Sequence, residues 1–148
     1  MDTPVRRYRP GMNVHGPSPY FQFDGTARQA LARWQQVFGG EVRVSTFAEF
    51  SRTDGPADAV AHGQLAGPLE LFAADAATGE TPFQATGVLF SLLGAAEPDV
   101  LREWFADLAT DGTVVDPLQE RPWGDWDGIV RDAFGVTWLI GFERSALR

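Results

Sequence analysis

One order of elements is written into this chain twice. Ser18 to Phe23 is short and aromatic and stops at Asp24-Gly25, which reads as a strand ended by a turn. Ala27, Ala30, Leu31, Trp34, Val37 and Phe38 then recur at the i, i+3, i+4, i+7 spacing of one apolar helix face. Thr26 stands where an N-cap belongs, and Gly39-Gly40 ends the helix. Three strands follow, Glu41–Phe47, Val60–Leu65 and Leu69–Ala73, with a polar loop from Ser51 to Asp58 between the first two. After a loop carrying Gly79 and Pro82 the order returns. Gly87–Leu93 reads as a strand. Glu97-Pro98-Asp99 opens a helix over Asp99–Ala109, because Pro is tolerated in a first turn and acids suit the N-terminal end of the dipole. Leu101, Trp104, Phe105 and Leu108 are its apolar face, and strands are predicted at Thr113–Leu118, Asp127–Arg131 and Val136–Phe142.

A strand, a helix and three strands, repeated, make an α+β fold of two βαβββ modules, residues 18–75 and 87–143, in one domain over 18–148 with an N-terminal arm at 1–17. One helix covers only one face of its sheet, so each module needs the other for burial. The expectation is two curved, mostly antiparallel sheets whose bare faces enclose a cleft.

Composition closes several routes. The 148 residues hold no Cys, which excludes disulfides, thiolate nucleophiles and cysteine zinc sites. The net charge is −8, and every basic residue is Arg. A nucleic-acid binder needs the opposite balance to displace counterions from phosphate. Arg6, Arg7 and Arg9, the basic cluster near the start, read as a solvated arm. No apolar run approaches the ~20 residues that span a bilayer, and no apolar leader follows Met1. A cytoplasmic protein with no membrane or nucleic-acid partner is expected. Only His15 and His62 are available as imidazole bases, no Ser lies in a nucleophile elbow, and no glycine-rich loop precedes a helix. The acids Glu120, Asp125 and Asp127 read as a solvated turn around Gly124.

Five stretches resemble a known superfamily. They are Tyr20-Phe21-Gln22-Phe23-Asp24-Gly25 with Ala27 and Ala30; Val37-Phe38-Gly39-Gly40-Glu41; His62-Gly63-Gln64-Leu65 leading to Asp75; Leu118-Gln119-Glu120 with Trp123; and Asp132-Ala133-Phe134-Gly135-Val136-Thr137-Trp138. Taken in order, the chain resembles the vicinal oxygen chelate (glyoxalase/bleomycin-resistance/dioxygenase) superfamily, and its PhnB-like branch in particular. That resemblance implies the paired-module fold but no single chemistry, since one fold hosts many.

It also implies where a metal would sit: four side chains from the first and last strand of each module, holding one divalent ion through hard donors. In the last strand of module one, Glu70 matches in type and place, and alternation turns it away from Leu69 and Leu71. At the other three places this reading finds Ile140, Gly87 or Val88, and Gln22, with His15 in reach only of a shifted register. No metal and no other cofactor is therefore expected. Glu70 reads as a polar anchor of the cleft, paired with an Arg or facing water. His62 reads as a structural histidine bonded to a backbone carbonyl.

The tryptophans carry more. Trp123 and Trp126 flank the turn Arg121-Pro122-Trp123-Gly124-Asp125-Trp126, and alternation places Trp138, Ile140 and Phe142 on one face. If Leu139 faces the helix, that face lines the cleft; otherwise Trp138 fills the interface between modules. The candidate ligand-binding set is Glu70, Gln22, Trp123, Trp126, Trp138 and His62. The expected function is a small-molecule-binding protein that sequesters its ligand in an aromatic cleft, as the bleomycin-resistance resemblance implies; an acidic cleft suits a cation. The alternative is a metal-dependent lyase or dioxygenase with one atypical divalent metal on Glu70 and Gln22 or His15. A third reading is a role in dimer-mediated interaction alone. The exposed sheet edges and the resemblance both favour a homodimer.

Overall fold

The computed structural model describes residues 16–147; Arg6, Arg7, Arg9 and His15 lie outside the described residues. The elements are β1 (Tyr20–Phe23), α1 (Ala27–Phe38), β2 (Glu41–Thr46), β3 (Val60–Ala66), β4 (Glu70–Asp75), β5 (Phe90–Leu93), α2 (Pro98–Thr110), β6 (Thr113–Glu120), β7 (Trp126–Arg131) and β8 (Thr137–Phe142), then a single 3-10 turn at Arg144–Ala146. The repeat stands as read, with ends moved by one or two residues and one larger shift: β5 begins at Phe90, because Gly87 sits in a left-handed turn at φ 74° and Val88 and Leu89 are exposed before the strand starts.

Each module forms a four-stranded mixed sheet, in the order β1-β4-β3-β2 and β5-β8-β7-β6. The first strand of each runs parallel to the last, and the other pairs are antiparallel. The two ladders share a register. Gly63 of β3 lies opposite Ala73 of β4, and Gly128 of β7 opposite Ile140 of β8, so Ala73 corresponds to Ile140, Asp75 to Phe142 and Glu70 to Thr137. Both glycines face the helix side and have no room for a Cβ. At Gly63 the added atom would meet the Ala73 carbonyl oxygen at 2.8 Å, and at Gly128 the Leu118 nitrogen at 2.6 Å.

The helix-bearing faces of the two sheets share one core. Phe21 of β1 packs on Phe90 of β5 (ring centroids 5.4 Å apart), Phe38 of α1 on Trp104 of α2 (5.1 Å), and Trp34 of α1 on Trp138 of β8 (6.4 Å). Within one chain the core thus lies on the helix-bearing side of both sheets, and the opposite faces are left bare. The reason is burial. Trp34 and Trp138 offer too much apolar area to leave in water, and only the opposite module's helix side covers both. The linker between modules adds a tie. Phe83 donates its N–H to the Gln22 carbonyl and sets its ring edge-on to Phe21 at 5.1 Å.

Two buried carboxylates secure this arrangement. Asp132 accepts the Phe134 and Val136 N–H groups on Oδ1 and the Trp34 and Trp138 indole N–H groups on Oδ2, so one side chain ties α1 to β8 across the module boundary. Asp75, at the end of β4, accepts the Ala27 N–H at 3.0 Å and the Val60 N–H at 2.9 Å. It caps α1 from a distance in sequence, whereas Thr26, the expected cap, makes no side-chain capping bond. Asp75→Ala should therefore cost about 2 kcal/mol in urea unfolding, by loss of a buried cap and a strand contact. Thr26→Ala should change stability by less than about 0.5 kcal/mol. The reverse order of the two effects would show that the cap is local.

Candidate functional site

Alternation along β1, β3 and β4 places two sets of side chains on opposite faces of the first sheet. Phe21, Phe23, Leu65, Leu71 and Ala73 go to the core. Tyr20, Gln22, His62, Gln64, Glu70 and Phe72 go to the bare face. Three of the sequence candidates, Gln22, His62 and Glu70, thus share this surface.

The surface has a polar end and an aromatic middle. Glu70 accepts the Ser18 hydroxyl on Oε1 at 2.6 Å and the Gln64 amide on Oε2 at 3.3 Å. No Arg pairs with it among the described residues. In the middle, the Tyr20 and Phe72 rings stack with centroids 5.7 Å apart and planes 10° off parallel, and His62 lies 5.6 Å from Phe72. The Tyr20 oxygen is 3.0 Å from His62 Nδ1. Burial pushes the Tyr20 hydroxyl above its ordinary pKa; the Arg52 charge opposes that and Glu80 adds to it. The hydroxyl therefore stays protonated at neutral pH and is hydrogen-bonded to Nδ1. The partner of His62 is a phenol on β1, reached across the intervening β4, not the expected backbone carbonyl. At the far end Gln22 donates to Glu80 Oε2 at 3.1 Å, and the Ala77 N–H shares that oxygen at 3.0 Å.

These residues do not fit a metal. Ser18, which touches Glu70, and Gln22 are four residues apart on one extended segment, so Gln22 lies about 13 Å along the strand from Glu70's partner. Gln22 is also committed to Glu80. In the second module the place of Glu70 falls to Thr137 rather than Ile140, since Ile140 is buried on the helix side. Among the described residues no three of His, Asp and Glu gather as a ligand set.

The tryptophans separate. Trp138 is 1% exposed in the core, with its indole on Asp132, so Trp138, Ile140 and Phe142 share a face as expected, but it is the helix face and not a cleft. Trp123 and Trp126 meet elsewhere, at the end of the second sheet. There a groove of about 950 Å³ runs between the β5–α2 loop, the β6–β7 turn and the end of β8. Trp123 stands 67% exposed on that turn, and Trp126 stacks on Phe142 at 6.0 Å. The turn is rigid rather than merely solvated. Arg121 bonds Asp127 at 2.8 Å and Asp116 at 2.5 Å, and Asp125 accepts the Arg144 N–H at 2.9 Å. Sequence reading missed Tyr20, Phe72 and Gln64. Alternation from Gln22 and Glu70 marks Tyr20 and Phe72, whereas Gln64 needs the β3–β4 register.

No protein-family model matches the chain. It is 26% identical over 143 residues to protein YjdN of Escherichia coli (strain K12), an alignment covering 86% of this chain and 95% of that protein. Among solved structures, protein PA1353 of Pseudomonas aeruginosa superposes with a TM-score of 0.70 at 27% identity, covering 88% of this chain and 98% of that one. The PhnB protein of Bacillus cereus gives 0.70 at 21% identity, over 86% and 99%. A glyoxalase/bleomycin resistance protein/dioxygenase superfamily member from Sphaerobacter thermophilus gives 0.53 at 16%, over 89% and 99%. The chain has the fold of that superfamily. The resemblance read from the five sequence stretches and the arrangement of the two sheets agree on it. Within the superfamily fold, this chain turns outward a first sheet with one carboxylate and three rings, and a second with none of the same residues at matching positions.

Proposed function

We propose that this chain is a metal-free small-molecule-binding protein that holds its ligand on the bare face of module one, beneath a second copy of itself. The observation that carries the reading is the pairing of Glu70, a carboxylate in no ion pair among the described residues, with the Tyr20–Phe72–His62 rings on one exposed surface. A planar ligand stacks on such rings, and a positive or hydrogen-bond-donating group on it reaches Glu70. One bare sheet cannot bury a ligand. Module two offers a second bare face, with Leu93, Ile129 and Leu139 among its outward residues, and a homodimer that sets one on the other gives the ligand a roof and covers both. The cytoplasm is the compartment this reading assumes. The absence of Cys suits it, and among the described residues no helix is long and apolar enough to cross a membrane.

The test uses proflavine, a planar aromatic cation, titrated into the whole protein and followed by fluorescence polarisation. Saturable binding that Glu70→Gln weakens about tenfold, a loss of ~1.4 kcal/mol, is expected, with light scattering giving a dimer. A monomer at micromolar concentration, or equal binding by wild type and Glu70→Gln, would overturn the reading. So would about one Zn, Ni, Mn or Fe per chain that Glu70→Ala releases; the metal-dependent lyase or dioxygenase would then replace it.

A further inference from the structure

The two modules end differently, and the difference opens a site. In module one the end of the sheet below the helix is closed by Asp75, whose carboxylate spans from α1 to β3. In module two the shared register puts Phe142 at that position, and α2 begins at Glu97-Pro98 with no side-chain cap. Phe142 has no acceptor to draw the helix start down onto the strands. The groove of about 950 Å³ lies at that end, a volume in the range of small-ligand pockets.

Its walls have one sign of charge. Glu97, Asp125, Asp127 and Glu143 line it and, among the described residues, no Arg does, although Arg102 and Arg144 flank it. Asp127 is neutralised by Arg121, but the other three acids take part in no ion pair among the described residues. Its rings are open to a cation. Arg102 already lies over the pair just outside the groove, its guanidinium carbon 5.3 Å from the Trp126 centroid and 4.9 Å from that of Phe142. Trp123 has no such partner among the described residues and is held out on a turn fixed at both ends. A single exposed indole is ordinary, but this one borders an acid-lined groove, where its face is open to a ligand.

We infer that this groove is a second binding site, distinct from the module-one face, for a small organic cation bearing an alkylated ammonium, which packs on the indole of Trp123 with Glu97 and Asp125 as counter-ions. Aromatic faces combined with nearby carboxylates suit a weakly hydrated, spread-out positive charge, which cedes little hydration on entering. A neutral molecule of like size gains only the apolar contact.

The probe is benzyltrimethylammonium chloride, titrated calorimetrically into the whole protein beside neutral benzyl alcohol. Saturable binding of the cation is expected, weakened at least about tenfold in Trp123→Ala and about threefold in Glu97→Gln, in keeping with a cation–π contact and one partly screened charge. Both side chains are exposed, so both variants should keep the wild-type circular dichroism and melting temperature. Equal binding of benzyl alcohol, or wild-type affinity in Trp123→Ala, would overturn the inference. So would a loss of cation binding in Glu70→Gln with none in Trp123→Ala, since that places the cation on the module-one face. The proflavine result stands or falls separately, because it depends on Glu70 and not on Trp123.

Discussion

Asp132→Ala should lower the unfolding free energy by about 4 kcal/mol in urea denaturation. The side chain is 5% exposed and accepts four N–H groups, two from the backbone of its own turn and two from indoles on different modules. Truncation leaves both indole N–H groups buried without an acceptor, at about 1–3 kcal/mol each, and frees the turn between β7 and β8. Asp132→Asn sharpens the expectation. An amide keeps one oxygen for the turn but presents an NH₂ to two donors, or the reverse after a flip, so it should cost at least half as much as the Ala variant. If Asn were silent, the indole bonds would contribute little and the pin would be a matter of packing.

Trp34→Ala should cost about 4 kcal/mol, the usual range for emptying a large aromatic site in a core. Trp34 is fully buried and lies within 5.3–6.4 Å of the ring centroids of Phe21, Phe23, Phe134 and Trp138. These rings come from β1, the β7–β8 turn and β8, so the void opens at the junction of the modules, where neither sheet can collapse alone. Because Trp34 and Asp132 are bonded to one another, their losses should not add. A double variant less destabilised than the sum, by roughly 1–2 kcal/mol, is the expected coupling. Strict additivity would mean that the hydrogen bond between them carries nothing. Calorimetry checks both points, since wild-type chain should unfold in one transition and the Trp34→Ala chain in a broader one.

The fold was legible because its instructions are periodic. Leu31, Trp34 and Phe38 mark α1 by spacing alone, Leu101 to Leu108 mark α2, and every strand falls within a few residues of its alternating run. What spacing does not carry is which bare or covered face meets which. Alternation correctly groups Trp138, Ile140 and Phe142, but the choice of face depends on Trp34 and Phe38 reaching across from another module. The site was legible to the same degree. Glu70, Gln22 and His62 fall on one surface because a strand's parity is local, whereas their partners Ser18, Glu80 and Tyr20 come from long-range pairings. The caps show the limit most clearly. Thr26 has the right chemistry at the right place, yet Asp75, 48 residues from Ala27, takes the bond.

The small clamp at Phe83 fixes where the strap between the modules runs. The strap joining the halves could in principle let module two of one molecule settle on module one of another, yielding intertwined pairs. Pinned against Phe21 and Phe23 and bonded to Gln22, the strap instead keeps a chain's own second half close by, at the effective millimolar concentration a short tether provides. At micromolar protein, a stranger's half is outcompeted by about a thousandfold. A tether of this kind favours a chain's own second half as the partner for its first.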